Sequence, residues 1–255
     1  MKKLSVVLAT YNEEKNLANC LDSVTDLADE IVVVDGTSVD KTVDIAKKYN
    51  AKVIITTNPQ IFHINKQKAI DNATSDWILQ LDADEKVSHD LNSRIREILE
   101  SDTDINGFWI PRKNYFLGKF LMKGGQYPDY TLRLYRRGKG RLPQKDVHEQ
   151  AEVEGRVEYI KEPLLHYPYE DFASYLKKWD KYTDIISVQI KKELEKKNTL
   201  EKTVSLINYI LLKPIYWFLL AYIRHKGFMD SWQGFVFAFY SSLRFPVSYI
   251  KYLKK

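Results

Sequence analysis

Cysteine is almost absent from the sequence, which contains one, Cys20, among 255 residues. A single cysteine cannot form a disulfide within the chain, and this favours a reducing compartment. The sequence also lacks internal repeats and low-complexity segments. Apolar residues make up 44% and charged residues 29%, as in ordinary globular proteins. We therefore expect one sizeable core with a smaller appended unit.

A cleavable signal sequence is not expected at the N-terminus. The residues MKKLSVVLATYNEE contain two lysines and a short apolar run. This run soon reaches the polar Thr10, and no small-residue cleavage site follows it. We interpret it as the first strand of the fold.

Acidic residues are scarce in the C-terminal tail. Residues 203–255 hold seven basic residues, one acidic residue and 14 of the 33 aromatic residues. Lys213-Pro214 interrupts the apolar run 203–223, which predicts two short helical pieces. Basic, aromatic tails suit anionic membrane surfaces or nucleic acid, and helically spaced aromatics such as Trp232 and Phe239 favour the membrane. Nucleic acid is not an expected partner, while an oligomer interface and a core helix stay open as alternatives.

Apolar runs alternate with helical patterns in the first hundred residues. The predicted strands are residues 4–9, 30–35, 52–56 and 77–81, with helices between them. Asn12 is predicted to cap the first helix, and Ser88 or His89 to open the helix after the fourth strand. This alternation predicts an α/β fold with a parallel sheet. The pattern of residues 106–170 is typical of further strands with turns between them. It predicts a mixed, partly antiparallel extension of the sheet.

Polar residues follow three of the predicted strands where each strand ends. These residues are Thr10 to Glu13 after the first strand, Asp35 after the second, and Asp82 and Asp84 after the fourth. Ligands of such sheets bind beyond the carboxyl ends of the strands. The sequence therefore predicts one site at this edge.

The stretch ILQLDADE places Asp82, Asp84 and Glu85 directly after an apolar strand. Carboxylates this close repel one another unless water screens them or a cation bridges them. A magnesium or manganese ion takes one or two protein carboxylates and completes its shell with phosphate oxygens and water. A solvated acidic turn is the alternative, but the neighbouring polar strand ends favour a metal and diphosphate site.

Three motifs, SVVLATYNEE, EIVVVDGTSVDKT and DWILQLDADE, resemble in order and spacing those of a family 2 glycosyltransferase. The segments KDVHEQ, LLHYPYEDFASYLKKWDKYT and GFMDSWQGFVFAF resemble the bacterial lipopolysaccharide-core glucosyltransferase branch. The resemblance implies a GT-A fold, with a nucleotide-sugar half and an acceptor half. We predict a catalytic domain over residues 1–170, a charged helical connector over 171–202, and an all-helical membrane-association tail over 203–255.

The resemblance also implies roles for individual residues. Thr10, Tyr11 and Glu13 would hold the base and ribose of the donor. Asp35 would accept a hydrogen bond from a uracil-type base, with a turn cap as its alternative role. Asp82 would lie near the ribose and beside the metal, which Asp84 would bind as the acid of a DXD motif.

Other candidate residues would contact the metal, the phosphates or the acceptor. Glu149, or else Asp146, would be the catalytic base that inverting transfer requires. His148 and His166 would complete the metal shell or contact the diphosphate. Phosphates would be faced by one or more of the basic residues Lys66, Lys68, Arg133 and Arg136.

These observations and the resemblance predict an inverting, metal-dependent hexosyltransferase that is cytoplasmic and associated with the inner face of the membrane. A homo-oligomer stays open. The donor would be a nucleotide sugar, in particular a UDP-sugar. The acceptor would be a hydroxyl of a lipid-linked or lipopolysaccharide-type glycan. Transfer to a polyprenyl phosphate is a rival within the class. The rivals outside it are a nucleotidyltransferase, for which TYNEE lacks a glycine- and basic-rich phosphate loop, and an inactive membrane-surface scaffold.

Overall fold

The computed structural model describes residues 2–144 and 150–254. The chain divides into two compact units. The first unit comprises Met1–Lys113 and Asp129–His166, and the second comprises Asn114–Pro128 and Tyr167–Lys255. The domain boundaries predicted after residues 170 and 202 remain a prediction.

The first unit is a mixed β-sheet with helices, which confirms the predicted α/β class. Its parallel strands are β1 (Leu4–Thr10), β2 (Glu30–Asp35), β3 (Lys52–Ile55) and β4 (Trp77–Leu81). Its helices are α1 (Leu17–Asp22), α2 (Thr42–Lys48), α3 (His63–Asp71) and α4 (His89–Glu100).

Further strands extend the sheet beyond β4. They are β5 (Glu85–Val87), β6 (Gly107–Phe116), β8 (Asp129–Arg136), β11 (Val157–Tyr159) and β12 (Leu164–His166). Strands β9 (Gly140–Arg141) and β10 (Glu152–Val153) pair with each other in a separate two-stranded sheet. The strand order is β3-β2-β1-β4-β8-β6-β12-β5, and β8 runs antiparallel to both β4 and β6. The expected antiparallel extension is therefore present, and it places β8 beside β4.

In helix α4, the cap residue and the spacing of apolar residues in the sequence determine where the helix begins and which face is buried. Ser88 caps the helix, because its hydroxyl accepts a hydrogen bond from the backbone N–H of Leu91 at 3.2 Å. Leu91, Ile95 and Ile98 recur at helical spacing and are buried in the main core of the unit. The predicted start and apolar face of this helix are both confirmed.

The prediction that Asn12 caps the first helix is wrong. Helix α1 begins at Leu17, after Asn16. Asn12 has a φ of 56° and accepts a hydrogen bond from the backbone N–H of Val39 at 2.9 Å. Asparagine tolerates this left-handed conformation better than most residues, so Asn12 shapes the loop after β1.

The second unit is mostly helical. Its elements are the short strand β7 (Lys119–Phe120), the helices α5 (Phe172–Leu194), α6 (Thr199–Ile207), α7 (Lys213–Phe218) and α8 (Ser231–Leu253), two π-helical segments over Asn208–Leu212 and Leu219–Arg224, and a 3₁₀ turn over Gly227–Asp230. Buried side chains from α5 and α8, including Ile190 and Tyr249, form one of its cores.

The two helical pieces predicted for residues 203–223 form instead one continuous helical run, Thr199–Arg224. The backbone N–H of Lys213 donates to the carbonyl of Asn208, five residues earlier, directly before Pro214. A π-helical turn of this kind adapts the backbone to the proline without ending the helix.

Glycine fixes the start of α8. A Cβ atom on Gly234 would lie 1.9 Å from the carbonyl oxygen of Gly227, so no larger residue fits. The buried carboxylate of Asp230 accepts a hydrogen bond from the backbone N–H of Lys123 at 2.7 Å. The loop before residue 128 is thereby tied to the 3₁₀ turn that precedes α8.

Candidate functional site

The carboxyl ends of three parallel strands share one edge of the sheet. β1 pairs with β2 in a register that places Thr10 opposite Asp35, and it pairs on its other side with β4. The loop that starts at Asp82 follows β4. The polar residues after these strands therefore leave the sheet side by side, where ligands of such sheets bind.

Asp35 is fully buried and already makes several hydrogen bonds. Its carboxylate accepts from the hydroxyl of Thr10 at 3.0 Å, from the backbone N–H of Ser38 at 2.8 Å and from the hydroxyl of Ser38 at 2.6 Å. Asp35 thus stabilises the turn after β2, which is the alternative role considered for it. Its contact with a donor base stays a prediction.

The loop after β1 carries the other residues predicted to hold the donor. Tyr11 is 45% exposed. Glu13 is half-buried, and its carboxylate accepts from the side-chain amide of Asn16 at 2.9 Å. The backbone N–H of Glu13 donates to the hydroxyl of Thr42 at 2.8 Å. These bonds fix the loop and leave the Tyr11 ring accessible.

A cluster of opposite charges, Lys66, Asp82, Glu85, Arg112 and Arg133, lies at the end of β4 and is called the charge cluster below. The Asp82 carboxylate pairs with the Lys66 ammonium from α3 and accepts from Nη2 of Arg133, on β8, at 2.5 Å. Nη2 of Arg133 also donates to the fully buried Glu85 at 2.8 Å. Glu85 further pairs with Arg112, on β6, at 3.4 Å and accepts from the backbone N–H of Asp82 at 2.9 Å.

The pKa values in the charge cluster follow from burial and pairing. Burial would raise the pKa of Asp82, but Arg133 and Lys66 together lower it well below its usual range. Burial lowers the pKa of Lys66, and Asp82 opposes this effect. The pKa of Arg133 is raised, because Asp82 and Glu85 outweigh the effect of burial. Asp82 is therefore ionised at neutral pH, and its charge is balanced by two cations.

The charge cluster lines a cavity of about 230 Å³. Lys66, Asp82, Arg112 and Arg133 contribute charged side chains to its wall. Thr131 and Gln150 contribute polar ones. A cavity with several fixed charges at a strand-end edge is suited to a small, strongly charged ligand.

Asp84 and His166 lie next to each other in the first unit. The carboxylate Oδ2 of Asp84 is 3.5 Å from Nε2 of His166, and their side chains are 24% and 15% exposed. His166, at the end of β12, reaches this position because β12 pairs antiparallel with β5 directly after the acidic loop. Within the residues that the structure describes, no group of three or more His, Cys, Asp or Glu side chains could hold a metal ion.

Three of the predicted site residues, Asp146, His148 and Glu149, lie outside the described residues. Arg136, a further candidate for contacting phosphates, has structural partners. Its guanidinium lies 4.9 Å from the ring centroid of Trp77, and its Nε donates to the carbonyl of Ile105 at 3.1 Å.

Sequence reasoning missed the roles of Glu85 and Arg112. The sequence places Glu85 among the acids of the loop and indicates no partner for it. Its partners Arg112 and Arg133 are 27 and 48 residues away in the chain, on β6 and β8. A signal was present in Arg112 and Arg133 themselves, since arginine inside an otherwise apolar strand usually has a buried partner.

Comparison with known proteins identifies the family. Residues 5–151 match the model of the family described as glycosyl transferase family 2. The chain belongs to glycosyl transferase family 2. Its mixed sheet, with the parallel strands β1 to β4 continued by antiparallel β8, is the GT-A fold.

Relatives of this family 2 chain align over nearly its whole length. The lipopolysaccharide core biosynthesis glycosyltransferase LpsC of Rhizobium meliloti is 30% identical over 94% of this chain and 91% of its own length. An uncharacterized glycosyltransferase of Rickettsia typhi is 26% identical over 96% of this chain and 86% of its own. The crystal structure of S. aureus TarS 1-349 aligns with 99% of this chain and 91% of that one, with 15% identity and a TM-score of 0.48.

Proposed function

We propose that the protein transfers a hexose from a UDP-sugar to a hydroxyl group of a lipid-linked or lipopolysaccharide-type glycan, with inversion at the anomeric carbon. The observation that carries this proposal is the charge cluster at the shared carboxyl edge of β1, β2 and β4. The relative from Rhizobium meliloti, whose name refers to lipopolysaccharide core biosynthesis, supports the acceptor class.

In this proposal Lys66 and Arg133 face the diphosphate of the donor. Both cations line the cavity and are held by carboxylates, Lys66 by Asp82 and Arg133 by Asp82 and Glu85. Cations fixed in advance stabilise the charge that develops on a leaving group without reorganising during the reaction. Thr10, Tyr11 and Glu13 would hold the nucleoside from the loop after β1.

Asp84 and His166 fit a divalent metal ion. They offer one carboxylate and one imidazole at adjacent positions, and Mn²⁺ accepts both ligand types. Two protein ligands suffice when phosphate oxygens and water complete the shell. A bound ion would supply charge neutralisation at the departing diphosphate. His148, which lies outside the described residues, is proposed as a further ligand.

The catalytic base is proposed to be Glu149, with Asp146 as its rival. A sugar hydroxyl is a weak nucleophile at neutral pH, and it must lose its proton as the new bond forms. In an inverting reaction, the base lies on the opposite side of the sugar from the diphosphate. Both acids come well after the metal motif in the sequence, as the family resemblance implies.

Replacing Asp35 with alanine should weaken UDP binding by about 1–3 kcal/mol, the cost of losing a charge-assisted hydrogen bond. Isothermal titration calorimetry with UDP measures this change. The matched control is Ser38→Ala, which removes one hydrogen bond from the same turn but leaves the carboxylate in place. If both variants lose stability and neither loses UDP affinity, Asp35 is only a turn residue.

Membrane association is proposed for the second unit. Many large apolar side chains between residues 200 and 239 are exposed, and they are called the apolar surface below. Among them are Leu211, Ile215, Trp217, Leu219, Ile223 and Trp232. The run Thr199–Arg224 is long and apolar enough to cross a membrane by length and composition. The aromatic content and basic charge of the tail favour a position in the interface, on the cytoplasmic face.

Full-length protein should float with vesicles that contain anionic lipid. High salt should release only part of it, because salt screens the attraction of the basic residues and not the burial of apolar ones. Alkaline carbonate should release the remainder if the helices lie in the interface, and should leave it bound if Thr199–Arg224 spans. Protein that never floats, and that buries the apolar surface in a stable oligomer by sedimentation velocity, would contradict the proposal.

A further inference from the structure

A cavity of about 250 Å³ lies within the second unit, far larger than the ~30 Å³ that one water molecule occupies. One side is formed by the loop at Gly124–Gln126, and the other by residues of the helical run and of α8. The backbone N–H of Gly124 donates to the carbonyl of His225 at 2.9 Å, which joins the two sides. Within the part of the chain that the structure describes, the residues that line this cavity are separate from the charge cluster.

Arg244 brings a positive charge into this cavity. Its guanidinium lies 5.3 Å from the ring centroid of Trp217 and 4.9 Å from that of Phe245. Among the described residues, no carboxylate forms an ion pair with Arg244, and its buried Nε has no hydrogen-bond partner. A partly buried guanidinium in apolar surroundings is costly unless an anion pairs with it.

The lining of the cavity favours an anion over other ligands. His225 and Ser241 offer further polar groups, and none of the described residues that line the wall is acidic. A guanidinium is planar and presents several N–H donors in a fork that matches phosphate oxygens.

The surroundings of the cavity are apolar. Trp217, which lines the cavity and contacts Arg244, also belongs to the apolar surface and is 37% exposed. Leu219 and Ile223, in the same helical run, are 50% and 54% exposed. A ligand with a phosphate at one end and a hydrocarbon chain at the other would match both the charge in the cavity and the apolar surface beside it.

We propose that this cavity binds the phosphate group of a membrane amphiphile, with Arg244 as the principal donor and the hydrocarbon chain on the apolar surface. The proposal rests on the proposed membrane association and deepens the proposed function, because a lipid-linked acceptor carries such a phosphate. The cavity would then hold the lipid end of the acceptor.

Vesicle flotation with full-length protein tests this proposal. Phosphatidylcholine vesicles receive either phosphatidic acid, which bears a phosphate monoester, or a fatty acid at matched surface charge, which bears a carboxylate. Wild-type protein should prefer the phosphatidic acid vesicles by about tenfold or more, the value of a hydrogen-bonded charge pair. Equal binding to the two vesicle types would overturn the proposal, whatever the behaviour of any variant.

Two substitutions then assign the preference to the cavity. Arg244→Gln should abolish it, and Arg244→Lys should retain only part of it, because lysine keeps the charge and loses the fork. The control Arg224→Gln removes the same charge from an exposed position and should keep the preference. Loss of the preference in Arg224→Gln and its retention in Arg244→Gln, with both proteins folded by circular dichroism, would overturn the proposal.

Two further measurements separate the alternatives. Inorganic phosphate that raises the melting temperature of the wild type, without any vesicle preference, would assign the cavity to soluble phosphate and contradict a lipid ligand. UDP affinity, measured by calorimetry on the same samples, should not change in the Arg244 variants. If the protein shows no preference for phosphatidic acid vesicles but still binds UDP, this proposal is contradicted. The proposed transferase function is then unaffected.

Discussion

Replacing Asp84 with asparagine should abolish sugar transfer while leaving the fold intact. The Asp84 carboxylate lies beside His166 at the edge where the parallel strands end, and it is partly exposed. Asparagine has nearly the same shape, but it lacks the charge that a divalent ion requires. A metal ion contributes several kcal/mol of charge stabilisation at a departing diphosphate, so turnover should fall at least about a thousandfold.

The measurement for Asp84 is the rate of UDP release from a UDP-sugar in the presence of manganese. Asp90→Asn is the matched control, because it removes a carboxylate from an exposed position in the first turn of α4. EDTA should inhibit the wild type as severely as the substitution does, and added manganese should restore activity. Full turnover in excess EDTA would contradict the assignment.

Replacing Glu149 with glutamine should lower turnover by about 10²–10⁴-fold, the usual contribution of a positioned general base. Glutamine keeps the size of the side chain but cannot accept the proton of the acceptor hydroxyl. Donor binding should not change, because the base acts on the acceptor. The expected kinetic signature is therefore a loss in kcat with an unchanged affinity for UDP.

Asp146→Asn provides the comparison for Glu149→Gln, since it is an equally conservative change three residues earlier in the same motif. A large loss in Asp146→Asn alone would show that Asp146 is the base. Retained turnover in both variants would favour transfer to a polyprenyl phosphate. That acceptor is already anionic and needs no carboxylate to remove a proton.

The sequence was sufficient to predict the parallel half of the sheet. Strands β1 to β4 are short apolar runs that end in polar residues, and local pattern alone determines such elements. The edge shared by Thr10, Asp35 and Asp82 followed from the rule that parallel strands end together. These predictions needed no knowledge of contacts between distant residues.

The partners of Asp82 could not be predicted in the same way. Arg133 reaches Asp82 because β8 pairs antiparallel with β4, and Lys66 reaches it from α3. Asp82 and Arg133 are 51 residues apart in the chain. The strand register that brings them together is set by tertiary packing, and no local motif encodes it. The sequence therefore indicated acids at a metal and diphosphate site, while the structure shows that one of them is neutralised by two cations.

The prediction of two helical pieces in the tail was wrong for a different reason. Lysine and proline at residues 213 and 214 normally indicate the end of an apolar helix. Here a π-helical turn before Pro214 lets the run continue to Arg224. Whether a helix bends, breaks or widens at a proline depends on its packing partners, which the sequence alone does not specify.

The most direct test of the proposed function is a measurement of UDP release from a panel of UDP-hexoses, with manganese and with a lipid-linked glycan acceptor added or omitted. The account predicts that at least one donor releases UDP, that the acceptor accelerates this release, and that the product carries the inverted anomeric configuration by NMR. Release of pyrophosphate from a nucleoside triphosphate, with no UDP from any UDP-hexose, would contradict it and indicate a nucleotidyltransferase.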